Sequence, residues 1–110
     1  HIMGHPISGA SWEGYALENI LVQMHGWRAS FYRTSHGAEI DLILEKREMK
    51  LAIEFKLSSA PKVEKGSYIA MEDLEIDLIH IIVPNGIGEQ ISPKIRIDSI
   101  HTFLKMYKDQ

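Results

Sequence analysis

Ala38-Glu39-Ile40-Asp41-Leu42-Ile43-Leu44 and Leu51-Ala52-Ile53-Glu54-Phe55-Lys56-Leu57 are the two most apolar stretches of the chain. A short charged turn around Lys46-Arg47-Glu48 separates them, so residues 38–45 and 49–57 read as a β-hairpin. Asp41, Glu54 and Lys56 interrupt runs that otherwise belong to a core. Taking a charge out of water costs several kcal/mol unless a partner, a metal or a pKa change compensates. These three residues are therefore the candidates for chemistry.

Working outward, residues 29–35 suit a third strand, and His36-Gly37 suits a turn. Residues 9–25 form a predicted helix, with Ser8 or Ser11 able to cap it and Gly26 as its stop. Trp12, Ala16, Ile20 and Met24 recur every four residues there, with Leu17 and Leu21 beside them. Downstream, Pro61 ends the hairpin. Residues 63–75 form a weaker helix with Tyr68, Met71 and Leu74 apolar. Residues 78–84 are a buried strand by composition, broken by Pro84-Asn85-Gly86. Residues 91–97 read as a short edge strand, because Pro93 forbids a central one. Asp98 is the expected cap of a last helix carrying Ile100, Phe103, Leu104 and Tyr107.

The stretch from residue 45 to 84 is thus strand–helix–strand, which favours parallel pairing through a crossover. The expected fold is α/β: a central mixed sheet flanked by helices, with an α-β-β-β-α-β core plus a C-terminal strand and helix.

A chain of 110 residues is one domain by default, and 45% hydrophobic residues exclude a disordered one. His1-Ile2-Met3 reads as an expression-tag remnant, so residues 1–4 are set aside and residues 5–110 taken as the domain. The absence of cysteine excludes disulfides, thiolate zinc sites and cysteine nucleophiles. No apolar run approaches the roughly 20 residues of a membrane span, so a soluble, cytoplasmic protein with no membrane partner is expected. A net charge of −3 argues against strong non-specific nucleic-acid binding, without excluding a local basic strip.

Side chains alternate along a strand, so Glu54 and Lys56 share one face, roughly 7 Å apart, while Ile53, Phe55 and Leu57 take the other. With the hairpin centred near Arg47, Asp41 lies opposite about Ile53 and beside Glu54. Two carboxylates, with the Phe55 carbonyl as a possible third ligand, suit Mg²⁺ or Mn²⁺, which take hard oxygen donors plus waters. Lys56 is placed to orient or deprotonate water or to stabilise phosphate charge. On the first helix Glu13 shares the stripe of Leu17, Ile20 and Met24 and is a further metal or water ligand. Glu18, about 140° away, meets solvent.

Each residue also has a plainer reading. Glu54 and Lys56 can be an ion pair on a solvated face, and Glu13 can favour the helix N-terminal dipole. Glu39 is expected on the face opposite Asp41, in solvent. Arg33 can hold a phosphate or pair with Glu39 or Glu45. Lys62 and Lys65 can track a nucleic-acid backbone or form a solvated helix face. His80 is expected as a hydrogen-bonded core residue, and His36 is the one histidine near Asp41. Trp12, Trp27 and the tyrosines are expected in the core.

Gly37-x-x-x-Asp41 on a hairpin followed by Glu54-Phe55-Lys56 on the next strand resembles the PD-(D/E)XK phosphodiesterase signature, although Ile40 stands where that motif has proline. Gly9-x-x-x-Glu13 resembles the leading glutamate of archaeal Holliday-junction resolvases in that superfamily. His5-Pro6-x-x-Gly9-x-x-Trp12-Glu13, Arg33-Thr34-x-x-Gly37-x-Glu39-Ile40-Asp41 and Ile53-Glu54-Phe55-Lys56 are similar, more closely, to a domain of unknown function at the C-terminus of many prokaryotic AAA-type ATPases. The similarity covers roughly residues 5–107. It implies a restriction-endonuclease-like fold and Mg²⁺-dependent cleavage of nucleic-acid phosphodiesters. Asp41 and Glu54 would bind metal, Lys56 would assist the water, and Glu13 would support. The implied partners are nucleic acid, DNA before RNA, and an ATPase domain of the same polypeptide, with a homodimer left open. The competing reading is a non-catalytic nucleic-acid-binding, regulatory or oligomerisation module of such an ATPase.

Overall fold

A computed structural model describes residues 9–34, 39–58 and 60–108. The possible Ser8 cap, the turn at His36-Gly37 and the residues of the tag lie outside them.

The hairpin forms as its apolar pattern dictates. Strands β2 (Glu39–Lys46) and β3 (Met49–Phe55) pair antiparallel about a two-residue turn, with Arg47 at φ 56°. On one side β2 pairs antiparallel with β1 (Arg28–Arg33); on the other, β3 pairs parallel with β4 (Leu78–Ile82). Helix α2 (Lys65–Asp73) makes the crossover between β3 and β4 that parallel pairing requires. The six-stranded sheet runs β1-β2-β3-β4-β6-β5 and is mixed.

Two cores sit on its two faces. Leu42, Leu44, Leu51, Ile53, Phe55 and Ile82 pack against α1 (Gly9–Gln23) and α3 (Ile100–Met106). Ile43, Ala52, Ile79, Ile81 and Ile95 pack against Ala70 and Met71 of α2. Residues adjacent in β3 and β4 thus face opposite layers, as period-2 alternation demands. Each fully buried Leu, Ile or Phe contributes about 1.5–3 kcal/mol, so these two layers hold the sheet in place. No described helix is long and apolar enough to cross a membrane.

Several expectations need correction. The segment 91–97 is not one edge strand but a hairpin: β5 (Glu89–Ser92) and β6 (Ile95–Asp98), with Pro93-Lys94 in the turn. Proline outside the ladder leaves β6 free to pair parallel with β4 inside the sheet, and β5 becomes the edge. Asp98 does not cap α3. Ser99 does, accepting from the Thr102 backbone N–H, while the Asp98 carboxylate turns inward. Ser11 lies within α1 rather than before it, and Leu21 is exposed. The buried stripe of α2 is Ser67, Ala70 and Met71, so Tyr68 faces solvent, as Tyr15 does.

His80 is the hydrogen-bonded core residue the sequence suggests. It is fully buried, with Nδ1 2.7 Å from Asp98 and Nε2 against the Tyr107 hydroxyl. Arg96 and Thr102 also donate to Asp98.

Candidate functional site

At the end of the β2–β3 pair away from the hairpin turn, a cleft of about 370 Å³ is lined by Glu13, Glu39, Asp41, Glu54, Lys56 and Glu64, with Phe55, Gly66 and Ser67. Among the described residues, five carboxylates and one ammonium thus line it, from α1, β2, β3 and the start of α2.

The register explains how. Leu42 pairs with Ile53, one residue off the expected alignment, so the continued ladder brings Asp41 level with Glu54. Between Ser30 and Tyr32 on β1, β2 advances from Ile43 to Ile40, one residue more than its partner. This bulge breaks the alternation. Ile40 joins the α2-side core with Ile43. Glu39, expected on the face opposite Asp41, instead lines the same cleft. Beyond the Leu42–Ile53 pair, the Asp41 carboxylate accepts the backbone N–H of Phe55 at 2.9 Å, finishing the ladder with a side chain. A hydrogen bond to a charged group is worth about 1.5–3 kcal/mol, so Asp41 also has a part in the fold.

Glu54 is 5% exposed and points to the α2 side. Its Oε1 accepts from the Ser67 hydroxyl at 2.6 Å, while Oε2 is buried with no hydrogen-bond partner among the described residues. Burial pushes its carboxyl above the usual range; the Ser67 hydrogen bond and Lys56 pull it down, and Asp41 and Glu64 push it up. Glu13 is exposed, yet partial burial and the facing Asp41 and Glu39 carboxylates raise its carboxyl too. Lys56 is half-buried just past β3, its backbone N–H bonded to the Ile82 carbonyl. Glu18 faces solvent.

Arg33 pairs with Glu39 at 3.0 Å on the surface, and Glu45 lies by Lys50. Arg33 lines an adjoining, larger recess of about 620 Å³ whose floor includes Leu17, Phe31 and Phe55 and which shares Glu13 and Asp41 with the acidic cleft. Lys62 and Lys65 are exposed and do not line the cleft.

The sequence pattern of a domain of unknown function (DUF4143) matches residues 8–107. The chain belongs to this family. It is 31% identical over 80 residues to an uncharacterized protein of Mycobacterium bovis, and equally to one of Mycobacterium tuberculosis. Those alignments cover 73% of this chain but 18% of each relative, so the chain spans less than a fifth of their length. No solved structure matches the chain.

In this DUF4143 domain the sequence missed Ser67 and Glu64. The signal for Ser67 was available: a small hydroxyl one turn before Ala70 and Met71 on the buried stripe of α2 lies under whatever the sheet presents. Glu64 stands at the helix N-cap with no side-chain capping bond, so its carboxylate remains available to the cleft.

Among the described residues, no three His, Asp or Glu side chains gather closely enough to hold a metal by themselves. Mg²⁺ asks less, since one or two carboxylates plus waters and substrate phosphate suffice. The buried Oε2 of Glu54, without a hydrogen-bond partner among the described residues, is the kind of atom that a cation or a proton must satisfy. The residues fit such an ion.

Proposed function

We propose that this domain is a Mg²⁺- or Mn²⁺-dependent nuclease-like module that hydrolyses nucleic-acid phosphodiester bonds, DNA before RNA. We infer that it forms the C-terminal part of a larger AAA-type ATPase. The observation that carries the reading is the buried Glu54 Oε2, without a hydrogen-bond partner among the described residues, in a cleft shared with Asp41 and Lys56. A restriction-endonuclease-like fold is part of the proposal, supported by the order of α1, the β1-β2-β3 antiparallel run, the α2 crossover and parallel β4.

Asp41 and Glu54 would hold the ion, with the Phe55 carbonyl as a further donor. The ion would supply Lewis-acid stabilisation of phosphate charge. The rest belongs to the chain. Ser67 occupies one oxygen of Glu54 and fixes its rotamer, leaving the other for the ion. The Phe55 N–H does the same for Asp41. Lys56, the one cation lining the cleft among the described residues, orients the attacking water or neutralises charge on the phosphate. Glu13, its carboxyl raised, is placed to take or relay a proton. Arg33, Lys62 and Lys65 are the outlying phosphate contacts of this reading; Arg33 would have to exchange Glu39 for phosphate.

The deciding assay incubates the domain and Mg²⁺ or Mn²⁺ with plasmid, single-stranded, branched and RNA substrates. Cleavage by the wild type that vanishes in both Glu54→Gln and Lys56→Ala is expected. Cleavage unchanged in Glu54→Gln would remove the site from the chemistry.

One observation favours a second reading, a non-catalytic regulatory or oligomerisation module. Both central carboxylates already serve the fold, Asp41 through the β3 backbone and Glu54 through α2. In that case metal leaves the thermal transition unmoved, and Asp41→Asn retains full function of the parent ATPase.

A further inference from the structure

A further recess lies at the other end of α1 and β2. Lys46, which lines it, is about 17 Å along the strand from Asp41. It encloses about 820 Å³, a ligand-sized volume. Its sign is opposite to that of the acidic cleft. Lys46, Lys105 and Lys108 line it together with His25 and His101, and among the described residues no aspartate or glutamate does. These side chains converge from three places: the turn after α1, the last residue of β2, and α3 with the residues just beyond it.

Its apolar wall is built by Trp27, buried, and Tyr107, their rings edge-to-face at 5.7 Å. The Lys46 ammonium stands 5.9 Å from the centre of the Trp27 ring. A cation over indole is held by the ring quadrupole, so Lys46 is placed before any ligand arrives.

Helix dipoles explain only part of this charge. Lys105 sits in the last turn of α3, where a cation compensates the exposed carbonyl ends. His25 follows α1 in the same way. Lys46 ends a strand, and strands carry little net dipole. None of the three lysines lies within salt-bridge reach of a carboxylate among the described residues. Clustering three such ammoniums costs repulsion that an anion would remove.

We propose that this recess binds a phosphate group, its charge shared by Lys46, Lys105 and Lys108 and its oxygens taking hydrogen bonds from the rim imidazoles. In a chain of net charge −3, this local reversal of sign directs a polyanion to one end of the molecule. A phosphorylated small molecule and a nucleic-acid backbone share this chemistry. The inference stands whether or not the acidic cleft is catalytic.

The test follows the indole N–H resonance of Trp27 while the chain is titrated with pyrophosphate and, separately, with a short single-stranded DNA. A saturable shift of Trp27 is expected, with the Trp12 resonance unmoved. Lys46→Gln combined with Lys105→Gln weakens binding about tenfold or more, whereas Lys94→Gln, in the distant β5–β6 turn, does not. Equal affinity for the two probes identifies a small phosphorylated ligand. Tighter DNA binding, with a salt slope that falls by roughly 0.7 for each lysine removed, identifies a backbone. No saturable Trp27 shift with either probe, or an equal loss in Lys94→Gln, would overturn the proposal.

Discussion

Glu54 concentrates the tension of the site in one side chain. Its burial raises its carboxyl, so the folded state favours the protonated form. Stability from this group is therefore present below its ordinary value of 4.5 and is lost as pH rises through the elevated one. Glu54→Gln removes that loss while keeping an oxygen for Ser67. In metal-free buffer at neutral pH it should raise Tm by about 2–5 °C; a lower Tm measured by calorimetry would mean that the carboxylate is already well compensated. His80 titrates with the opposite consequence. Burial holds its imidazole below the usual 6.5, against the pull of Asp98, so the fold disfavours the protonated ring. Its stability contribution is intact above about pH 6.5 and is lost as pH falls through the lowered value. Burial pushes the Asp98 carboxyl up, but hydrogen bonds from His80, Arg96 and Thr102 outweigh it and hold it below the usual range. Tm should thus decline on acidification from pH 6.5, and His80→Gln should flatten that limb; parallel profiles would separate the decline from His80.

At the scale of elements, the hairpin, the first helix and the buried strand β4 were legible because their apolar residues repeat at the periods of two and about 3.6 that packing requires. The phase of α2 was not, since Tyr68 reads as apolar yet lies off the stripe that Ser67, Ala70 and Met71 bury. Nor was the bulge of β2 legible. It is set by how β1 and β2 pair, and it puts Ile40 in the same core as Ile43. Pro93 carried a true signal, exclusion from a ladder, that fits a turn as well as an edge strand. Gly86 explains where β6 can end. A Cβ there would stand 2.2 Å from the Asp98 carbonyl carbon. The clash is with backbone, which cannot move without disturbing the Asp98 carboxylate held by His80. Gly86→Ala should cost about 1–3 kcal/mol in chemical denaturation; a loss below that range would show that the β4–β6 connection relaxes freely.

The whole molecule is a sheet between two cores, with an acidic cleft at one end of α1 and β2 and a basic recess at the other. Asp41, Glu54 and Lys56 were legible in the sequence because each interrupts an apolar run. The basic recess was not, because its lysines and histidines are far apart in the chain and only the meeting of α1, β2 and α3 joins them. The claim on which the rest depends is that Asp41 and Glu54 share one cation. It is tested most directly by the Mn²⁺ dependence of Tm in the wild type, Asp41→Asn and Glu54→Gln. The account predicts a saturable rise of about 3 °C or more for the wild type, as a ligand that binds only the folded state must give, and none in either variant. A wild-type Tm that ignores Mn²⁺, or a rise that both variants retain, would contradict it.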